Sequence, residues 1–354
     1  MGSTVRAEGR VLTFVGDVML GRLMNDVLET MGPVYPWGDT LPLLRSADLT
    51  IINLECVISD RGRPWQRTPK VFHFRAGPLA LDALNVAGVD VVSLANNHVL
   101  DFEEEALVDM LERLRTRGIR YTGAGRDRAE AMRPAFADAR GLRVAVIALT
   151  DNEPDWAAGA TRPGTHYVPI STAPLVHRHV ASCIAHARQH ADFVVVSAHW
   201  GPNMVLRPPP HHRAFAHMVL DAGADLFYGH SAHVFQGIEW YQGKPILYDT
   251  GDFVDDYAVD PVLRNDWALC FRVFVAPGQT GAGETGGWRV VQLDLVPLLI
   301  QDFQVNQAHG ADYDGIVQRA TMLCAEFGTR LKRRDQHLMV TPPAVARRRA
   351  AAGG

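Results

Sequence analysis

The sequence predicts an α/β fold, and three observations support this prediction. Short runs of aliphatic and β-branched residues recur along the chain, and each run ends in a cluster of polar residues. The segments between the runs have the spacing of amphipathic helices, with glycine near their ends. Continuous apolar runs are typical of buried parallel strands, and α/β proteins bind ligands beyond the carboxyl ends of such strands. We therefore expect the polar clusters to converge on one rim of a sheet.

The strand pattern recurs in six runs: residues 11–15, 49–52, 89–94, 144–149, 193–197 and 224–228. A short strand is also expected at residues 245–247, and residues 288–296 have the pattern of an antiparallel strand in a second sheet. Helices are expected at residues 79–87, 103–117, 173–190 and 313–333. Gly88, Gly118 and Gly223 suit left-handed caps at helix ends, and residues 278–287 suit a flexible loop.

The length allows one large domain or two of ordinary size, and the Arg-, Ala- and Gly-rich C-terminal end predicts a disordered tail over residues 335–354. The chain has 354 residues, of which 47% are hydrophobic, enough for a well-buried core. Its formal net charge of −4 argues against a nucleic-acid partner bound by bulk electrostatics. The four cysteines form no close pairs, and no apolar run reaches the roughly 18 residues that span a bilayer. These features predict a cytoplasmic protein without a membrane partner and leave the oligomeric state open.

Carboxylate, amide and imidazole side chains occupy the predicted strand ends. Burying so many polar groups is unfavourable unless they bind a ligand or one another, and a bound metal explains them most simply. A purely structural hydrogen-bond network is the alternative. The residues concerned are Asp17, Glu55, Asn97, His199, His230 and His233.

Several motifs in order along the chain resemble those of the CapA family, which is named for poly-γ-glutamate capsule synthesis. The motifs are Gly16-Asp17-Val18-Met19, Asn53-Leu54-Glu55, Leu94-Ala95-Asn96-Asn97-His98, His199-Trp200-Gly201 and Gly229-His230-Ser231-Ala232-His233-Val234. The resemblance implies a single domain over residues 10–334 with a calcineurin-like metallophosphoesterase fold, which is a four-layer α-β-β-α sandwich. It further implies that His98 is an acid or base, that His233 is either a ligand or an acid or base, and that metal is held by Asp17, Glu55, Asn97, His199 and His230.

Three departures from the metallophosphoesterase pattern change the expected metal. Met19 stands where these enzymes usually have a histidine ligand, and a thioether binds hard cations poorly. The motif that contains Glu55 replaces their second aspartate motif, and His230 and His233 are one residue farther apart than usual. We therefore expect one divalent ion, Ca²⁺, Mn²⁺ or Zn²⁺, rather than a two-metal clamp.

Aspartates lie close enough in sequence to the candidate catalytic histidines to pair with them. A carboxylate bound to one ring nitrogen fixes the tautomer and raises the basicity of the other nitrogen. Two such pairs facing one carbon would remove a proton from one face and return it to the other, as in an epimerase. The alternative is that these aspartates only form a turn, cap a helix or order a loop. The candidate pairs are His98 with Asp60 or Asp101, and His230 or His233 with Asp249 or Asp252.

Two residues are candidate substrate contacts. Arg22 could clamp a carboxylate or phosphate, and a surface salt bridge is its alternative role. Trp200 could form part of an aromatic wall with Trp37, Trp65 and Trp156, and packing within loops explains these side chains equally well.

The first functional hypothesis is a metal-dependent peptide epimerase acting at a Cα of a ribosomal, lasso-type precursor, because a branch of the CapA family has this activity. A metal-dependent hydrolase of phosphoesters or γ-glutamyl amides is the second hypothesis. A noncatalytic component of capsule assembly is the third. The expected partner is a peptide substrate, and the expected cofactor is a divalent metal ion.

Overall fold

The computed structural model describes residues 9–279 and 285–343, with two large β-sheets at its centre. The strands are β1 (Arg10–Val18), β2 (Leu49–Leu54), β3 (Val57–Ile58), β4 (Arg75–Ala76), β5 (Val91–Ser93), β6 (Arg120–Thr122), β7 (Ala124–Gly125), β8 (Ala135–Ala139), β9 (Leu142–Thr150), β10 (Gly164–Thr165), β11 (Phe193–His199), β12 (Leu226–His230), β13 (Ile238–Tyr241), β14 (Lys244–Leu247), β15 (Asp252–Val254), β16 (Trp267–Gln279), β17 (Thr285–Gln301), β18 (Gln304–Gln307), β19 (Lys332–Arg334) and β20 (His337–Val340).

The α-helices are α1 (Leu23–Met31), α2 (Leu41–Arg45), α3 (Leu79–Ala87), α4 (Glu103–Thr116), α5 (Arg128–Ala131), α6 (Pro174–Arg188), α7 (Pro210–Asp221) and α8 (Gly310–Ala325). Short 3₁₀ helices lie at Tyr35–Thr40 and Pro154–Trp156. In the part of the chain that the structure describes, no helix combines the length and apolar character needed to cross a bilayer.

The first sheet has the order β19-β20-β17-β16-β1-β2-β5-β6, with β15 beside β1 and β18 beside β17. Strands β1, β2, β5 and β6 are parallel, because the helices between them return the chain to the same edge. Strand β16 pairs antiparallel with β1, and β17 pairs antiparallel with β16. The second sheet has the order β13-β14-β12-β11-β9-β8, with a parallel centre and antiparallel edges.

The two sheets pack face to face, and helices cover both outer faces. On β9, Val144 lies in the core between the sheets, whereas its neighbour Ala145 packs with residues of α6 and α7. On β5, Val91 lies in the same inter-sheet core, whereas Val92 packs with residues of α3 and α4. This alternation follows from the two-residue period of a strand and confirms the predicted four-layer α/β sandwich.

All six predicted strands are present, but they do not share one sheet. The first three runs became β1, β2 and β5 in the first sheet, and the last three became β9, β11 and β12 in the second. The polar strand ends therefore meet from two sheets rather than along one rim. The hydroxyl of Tyr228 on β12 donates to the carbonyl of Val15 on β1 at 2.6 Å and ties the sheets together at this point. The predicted antiparallel strand at residues 288–296 lies in β17 and pairs antiparallel with β16, but it shares the first sheet with β1, β2 and β5 instead of lying in a sheet apart from the six runs.

The C-terminal predictions need correction. Helix α8 ends at Ala325, well before the predicted residue 333, because the chain turns at Gly328, which has a φ of 72°. Residues beyond 334 are not all tail, since Leu338 and Val340 on β20 pack into the inter-sheet core and β20 pairs with β17. Residues 280–284 of the predicted loop and residues 344–354 of the predicted tail lie outside the described residues.

Candidate metal centre

The strand pairings bring the predicted site residues together. In the first sheet, Asp17 at the end of β1 is paired with Asn53 on β2 and with Asp252 on β15. In the second sheet, His199 at the end of β11 is paired with His230 at the end of β12. Because these strand ends face each other across the sandwich, side chains far apart in sequence share one buried pocket.

Two motif glycines permit this close approach. A Cβ added to Gly16 would lie 2.1 Å from the carbonyl oxygen of Gly251, where β15 runs beside β1. A Cβ added to Gly229 would lie 2.1 Å from the carbonyl oxygen of Tyr248. Any side chain at either position would therefore force apart the strands that carry the pocket.

Asp17 is held in place from one side by amides. The Nδ2 atom of Asn53 donates to Asp17 Oδ1 at 2.7 Å. Asn96 Nδ2 donates in turn to Asn53 Oδ1 at 3.0 Å. On the other side, Asp17 Oδ1 is 3.6 Å from His230 Nδ1, and Asp17 Oδ2 is 3.6 Å from His233 Nδ1. Oδ2 is buried without a hydrogen-bond partner. The carboxylate therefore presents a free oxygen to the pocket.

Glu55 occupies the middle of the pocket. Both carboxylate oxygens are buried without a hydrogen-bond partner. Three imidazole nitrogens surround Oε1: His98 Nε2 at 3.9 Å, His199 Nε2 at 3.9 Å and His233 Nε2 at 4.0 Å. Two ligands bound at about 2.1 Å to one cation lie about 3.0–4.2 Å apart, so the 3.9 Å between Glu55 Oε1 and His199 Nε2 suits two donors of one metal. An unpartnered buried carboxylate is otherwise strongly unfavourable.

Two overlapping groups could each hold a cation, with their ligand atoms within 4.8 Å of one another. One group is rich in nitrogen and the other in oxygen, and Asp17 belongs to both. The groups are Asp17, His199 and His230, and Asp17, Glu55, His233 and Asp252. The donors therefore fit a divalent metal, as the sequence predicts.

The electrostatics of the pocket favour a cation. Burial raises the pKa values of Asp17 and Glu55 well above their ordinary values, and the other carboxylates of the cluster add to this effect. Burial lowers the pKa of His199 far below its ordinary value and that of His230 to about 3. These two imidazoles are therefore neutral at pH 7 and can coordinate a metal without first losing a proton.

Metal affinity is expected to fall as the pH is lowered from about 8 to about 6, by about tenfold per pH unit for each proton displaced. The reason is that carboxylates with raised pKa values stay protonated to higher pH and must release protons to bind, whereas the neutral histidines need not. Titration calorimetry in two buffers with different ionisation enthalpies measures this release directly. Equal affinity at both pH values without proton release would contradict the prediction.

His98 forms a pair with Asp101. Its Nδ1 lies 2.6 Å from Asp101 Oδ2, and Asp101 is fixed by the backbone N–H of Phe74, which donates to the same oxygen at 2.6 Å. The imidazole stacks on the Phe74 ring with centroids 3.8 Å apart. Burial lowers the pKa of His98 to about 4, although Asp101 opposes this shift. The unoccupied Nε2 of a neutral, oriented imidazole therefore points at Glu55.

His233 forms the second pair, with Asp252. Its Nδ1 lies 2.8 Å from Asp252 Oδ1, and its backbone adopts a left-handed φ of 59°. Burial lowers the pKa of His233, but the surrounding carboxylates, Glu55 first, outweigh burial and raise the pKa above its ordinary value. Asp249 has the alternative role predicted for these aspartates, which is to order the loop. Its carboxylate accepts hydrogen bonds from the backbone N–H groups of Ala232 and Gly251.

Two predicted site residues lie elsewhere. Asp60 is on the surface, where its side chain is 69% exposed and forms an ion pair with Arg113 of α4, so it does not pair with His98. Trp200 is buried between the second sheet and α7, where it stacks on His212 and donates from Nε1 to the Tyr248 carbonyl at 2.9 Å. It is a core residue rather than a substrate contact.

Replacing Trp200 with Phe is expected to lower the free energy of unfolding by about 1–3 kcal/mol, because the indole hydrogen bond to the buried Tyr248 carbonyl is lost. Metal affinity should be unchanged, since the ring faces the helix layer. Urea unfolding and metal titration measure the two quantities. Weaker metal binding with unaltered stability would place the indole at the site instead.

Arg22 and Asn97 lie beside the pocket. Arg22 forms a salt bridge, which was the alternative role predicted for it: its Nε lies 3.3 Å from Asp256 Oδ2. Its guanidinium carbon also lies 5.3 Å from the centre of the Phe74 ring that stacks on His98. The side-chain Oδ1 of Asn97 is buried without a partner.

The structure adds residues that sequence reasoning did not assign. Asn53 and Asn96 position Asp17. Both belong to the motifs that resemble the CapA family, so the sequence could have indicated them. Lys70 is almost fully buried, lies 3.4 Å from Asp101 Oδ1 and donates to the Asn97 carbonyl at 2.7 Å. The hydroxyl of Tyr257 is buried without a partner, and its ring lies 5.3 Å from that of His233. No local pattern in the sequence singles out Tyr257.

Comparison with known proteins decides the family. Residues 11–257 match the family described as bacterial capsule synthesis protein PGA_cap. The chain belongs to this family. All the residues of the two candidate cation groups lie within the matched segment of this family member.

The sequences of several relatives align with most of this family member. The chain is 32% identical to a probable polyglutamine synthesis accessory protein of Mycobacterium tuberculosis, with 93% of this chain and 95% of that protein aligned. It is 30% identical to the capsule biosynthesis protein CapA of Bacillus anthracis over 70% of this chain and 60% of that protein. It is also 29% identical to the PGA biosynthesis protein CapA of Bacillus subtilis, over 69% of this chain and 63% of that protein.

Proposed function

We propose that this capsule synthesis family member is a metal-dependent hydrolase of amide bonds in poly-γ-glutamate or a similar glutamyl chain. The observation that carries the proposal is the buried Glu55 carboxylate, unpartnered and surrounded by three imidazole nitrogens at 3.9–4.0 Å. The names of the relatives, which refer to capsule, PGA and polyglutamine synthesis, support the choice of substrate class.

The residues present divide the chemistry between them. A divalent cation held by Asp17, His199 and His230, with Glu55 Oε1 3.9 Å from His199 Nε2, would supply Lewis acidity toward an amide carbonyl oxygen. His98, oriented by Asp101, presents a free Nε2 that can accept the proton of an attacking water. The two His–Asp pairs differ in charge preference, since the pKa of His98 is lowered and that of His233 is raised.

This difference assigns opposite roles to the two histidines. A group that is neutral at rest serves as the base, and a group that holds a proton serves as the acid, so environments that separate two pKa values also separate their roles. His233, held by Asp252, is then the donor to the leaving nitrogen. Arg22, whose side chain is 34% exposed beside Phe74, is a candidate to bind a substrate carboxylate.

The test uses metal-free full-length protein reloaded separately with Zn²⁺, Mn²⁺ and Ca²⁺. Each form is incubated with γ-linked and α-linked glutamate oligomers, and the products are measured by mass spectrometry. Metal-dependent shortening of the γ-linked chain with uptake of one water per cut supports the proposal. No cleavage of either chain with any of the metals would overturn it, and release of phosphate from an aryl phosphate would favour a phosphoesterase instead.

Epimerisation of a peptide Cα is the second candidate, favoured by one observation. His98 and His233 each carry a bound aspartate and each direct Nε2 toward the same Glu55 oxygen, at 3.9 and 4.0 Å. Two oriented imidazoles around one point could exchange protons at the two faces of a carbon. Incubation in D₂O distinguishes the candidates, because an epimerase incorporates deuterium at Cα without cleaving the chain, whereas a hydrolase cleaves it.

A further inference from the structure

A second cluster of metal-binding side chains lies on the helix-covered face of the second sheet. His166, which follows β10, meets His179 and Cys183 of α6, and their ligand atoms all lie within 4.8 Å of one another. The Nε2 atoms of the two histidines are 2.9 Å apart. The residues of the main pocket are not part of this cluster.

The cluster is built on rigid elements. The backbone N–H of His166 donates to the Gly123 carbonyl at 2.7 Å, and the backbone N–H of Thr150 on β9 donates to the His166 carbonyl at 3.1 Å. His179 and Cys183 are four residues apart on α6, so both side chains lie on one face of the helix. Because the backbones on both elements are fixed, the three donor atoms are held close to one another.

The hydrogen bond at the other ring nitrogen directs the lone pair of His166 Nε2 toward His179. His166 Nδ1 lies 2.8 Å from the Ala148 carbonyl, which can only accept, so Nδ1 carries the proton and Nε2 keeps its lone pair. A histidine whose outer nitrogen is fixed by a carbonyl is the usual arrangement of a metal-bound imidazole.

The donor set selects a class of metal. Two imidazoles and one thiol suit borderline or soft ions such as Zn²⁺ and disfavour Ca²⁺ and Mg²⁺, which prefer oxygen. A cavity of about 390 Å³ opens beside both imidazoles and is also lined by Met132, Thr165 and Tyr167. This cavity has room for a fourth ligand from solvent or a small molecule.

We propose that His166, His179 and Cys183 form a second metal site, which binds Zn²⁺ and is separate from the main pocket. The main pocket uses carboxylates and imidazoles, whereas this site includes a cysteine sulfur. The difference gives each site its own spectroscopic signature, because only a cysteine ligand produces a thiolate-to-metal charge-transfer band with Co²⁺. The inference does not depend on the reaction that the main pocket catalyses.

The experiment adds Co²⁺ to metal-free full-length protein and records the near-ultraviolet spectrum, after which Zn²⁺ is added in competition. A thiolate-to-Co²⁺ band that Zn²⁺ displaces is expected in the wild type and in Asp17→Ala, which disables the main pocket. Cys183→Ser should lose the band, and Cys324→Ser, a buried helical cysteine outside the cluster, should keep it. His179→Ala should weaken Co²⁺ binding at least about 100-fold.

Two results would overturn the proposal. One is a wild-type protein without the charge-transfer band, and the other is a band that survives Cys183→Ser unchanged. His179 is only half-buried, so His179→Ala tests the site without emptying the core, and undiminished Co²⁺ binding by this folded variant would also overturn the proposal. Circular dichroism verifies that each variant is folded.

Discussion

His98→Gln is expected to lower turnover of the substrate by about 10²–10⁴-fold while metal content stays unchanged. The imidazole is oriented by Asp101 at 2.6 Å and presents Nε2 to the centre of the pocket, so it is placed to transfer protons. Glutamine approximates the size of the ring but cannot exchange a proton near neutral pH. The loss should therefore appear in kcat rather than in metal binding or folding.

The matched control for this variant is Asp60→Asn. Asp60 precedes His98 in the chain and was a candidate partner for it, but its side chain is exposed and paired with Arg113. Turnover by Asp60→Asn should remain within about twofold of the wild type, as for other exposed substitutions away from the site. If His98→Gln kept full activity with full metal content, the assignment of proton transfer to His98 would be wrong.

Asp17→Ala is expected to weaken divalent metal binding by at least about 100-fold and to abolish turnover. Asp17 is the carboxylate shared by both candidate cation groups, so its removal takes an oxygen ligand from each. It also leaves the Nδ2 donor of Asn53 without its carboxylate partner, which loosens the amides on that side of the pocket. Elemental analysis after dialysis and titration with Mn²⁺ and Zn²⁺ measure the effect.

Asp48→Ala is the control at the opposite end of the same strands. Asp48 accepts the backbone N–H of Val11 at 2.8 Å and forms an ion pair with Arg140, far along β1 from the metal pocket. This variant should lose stability but keep its metal. Loss of metal from both variants would mean that general destabilisation, not a missing ligand, explains the result for Asp17→Ala.

The family, the layers and most of the site motifs could be predicted from the sequence. Apolar runs such as residues 144–149 and 193–197 alternate between two buried faces, and the polar residues that close them are confined to strand ends. The motifs that resemble the CapA family lie within the segment that matches the capsule synthesis family, which confirms the family prediction. The lasso-peptide epimerase branch has no support from the relatives, whose names refer to capsule, PGA and polyglutamine synthesis.

The partners of individual side chains could not be predicted. Sequence distance placed Asp60 and Asp101 as equal candidates for His98, and only the turn after β3 sends Asp60 to the surface beside α4. Trp200 follows His199 directly, yet successive residues of an extended chain point to opposite faces, so one enters the pocket and the other enters the helix layer.

The sequence by itself determined which residues are apolar with a strand or helix period, which polar groups end each run, and hence the α/β class and the family motifs. Only the tertiary structure decided that these strand ends come from two facing sheets, that Glu55 lies among three imidazoles, and that His166 meets Cys183. The physical reason is that local patterns record which face of an element is buried, whereas the contacts between elements depend on how separate faces pack together.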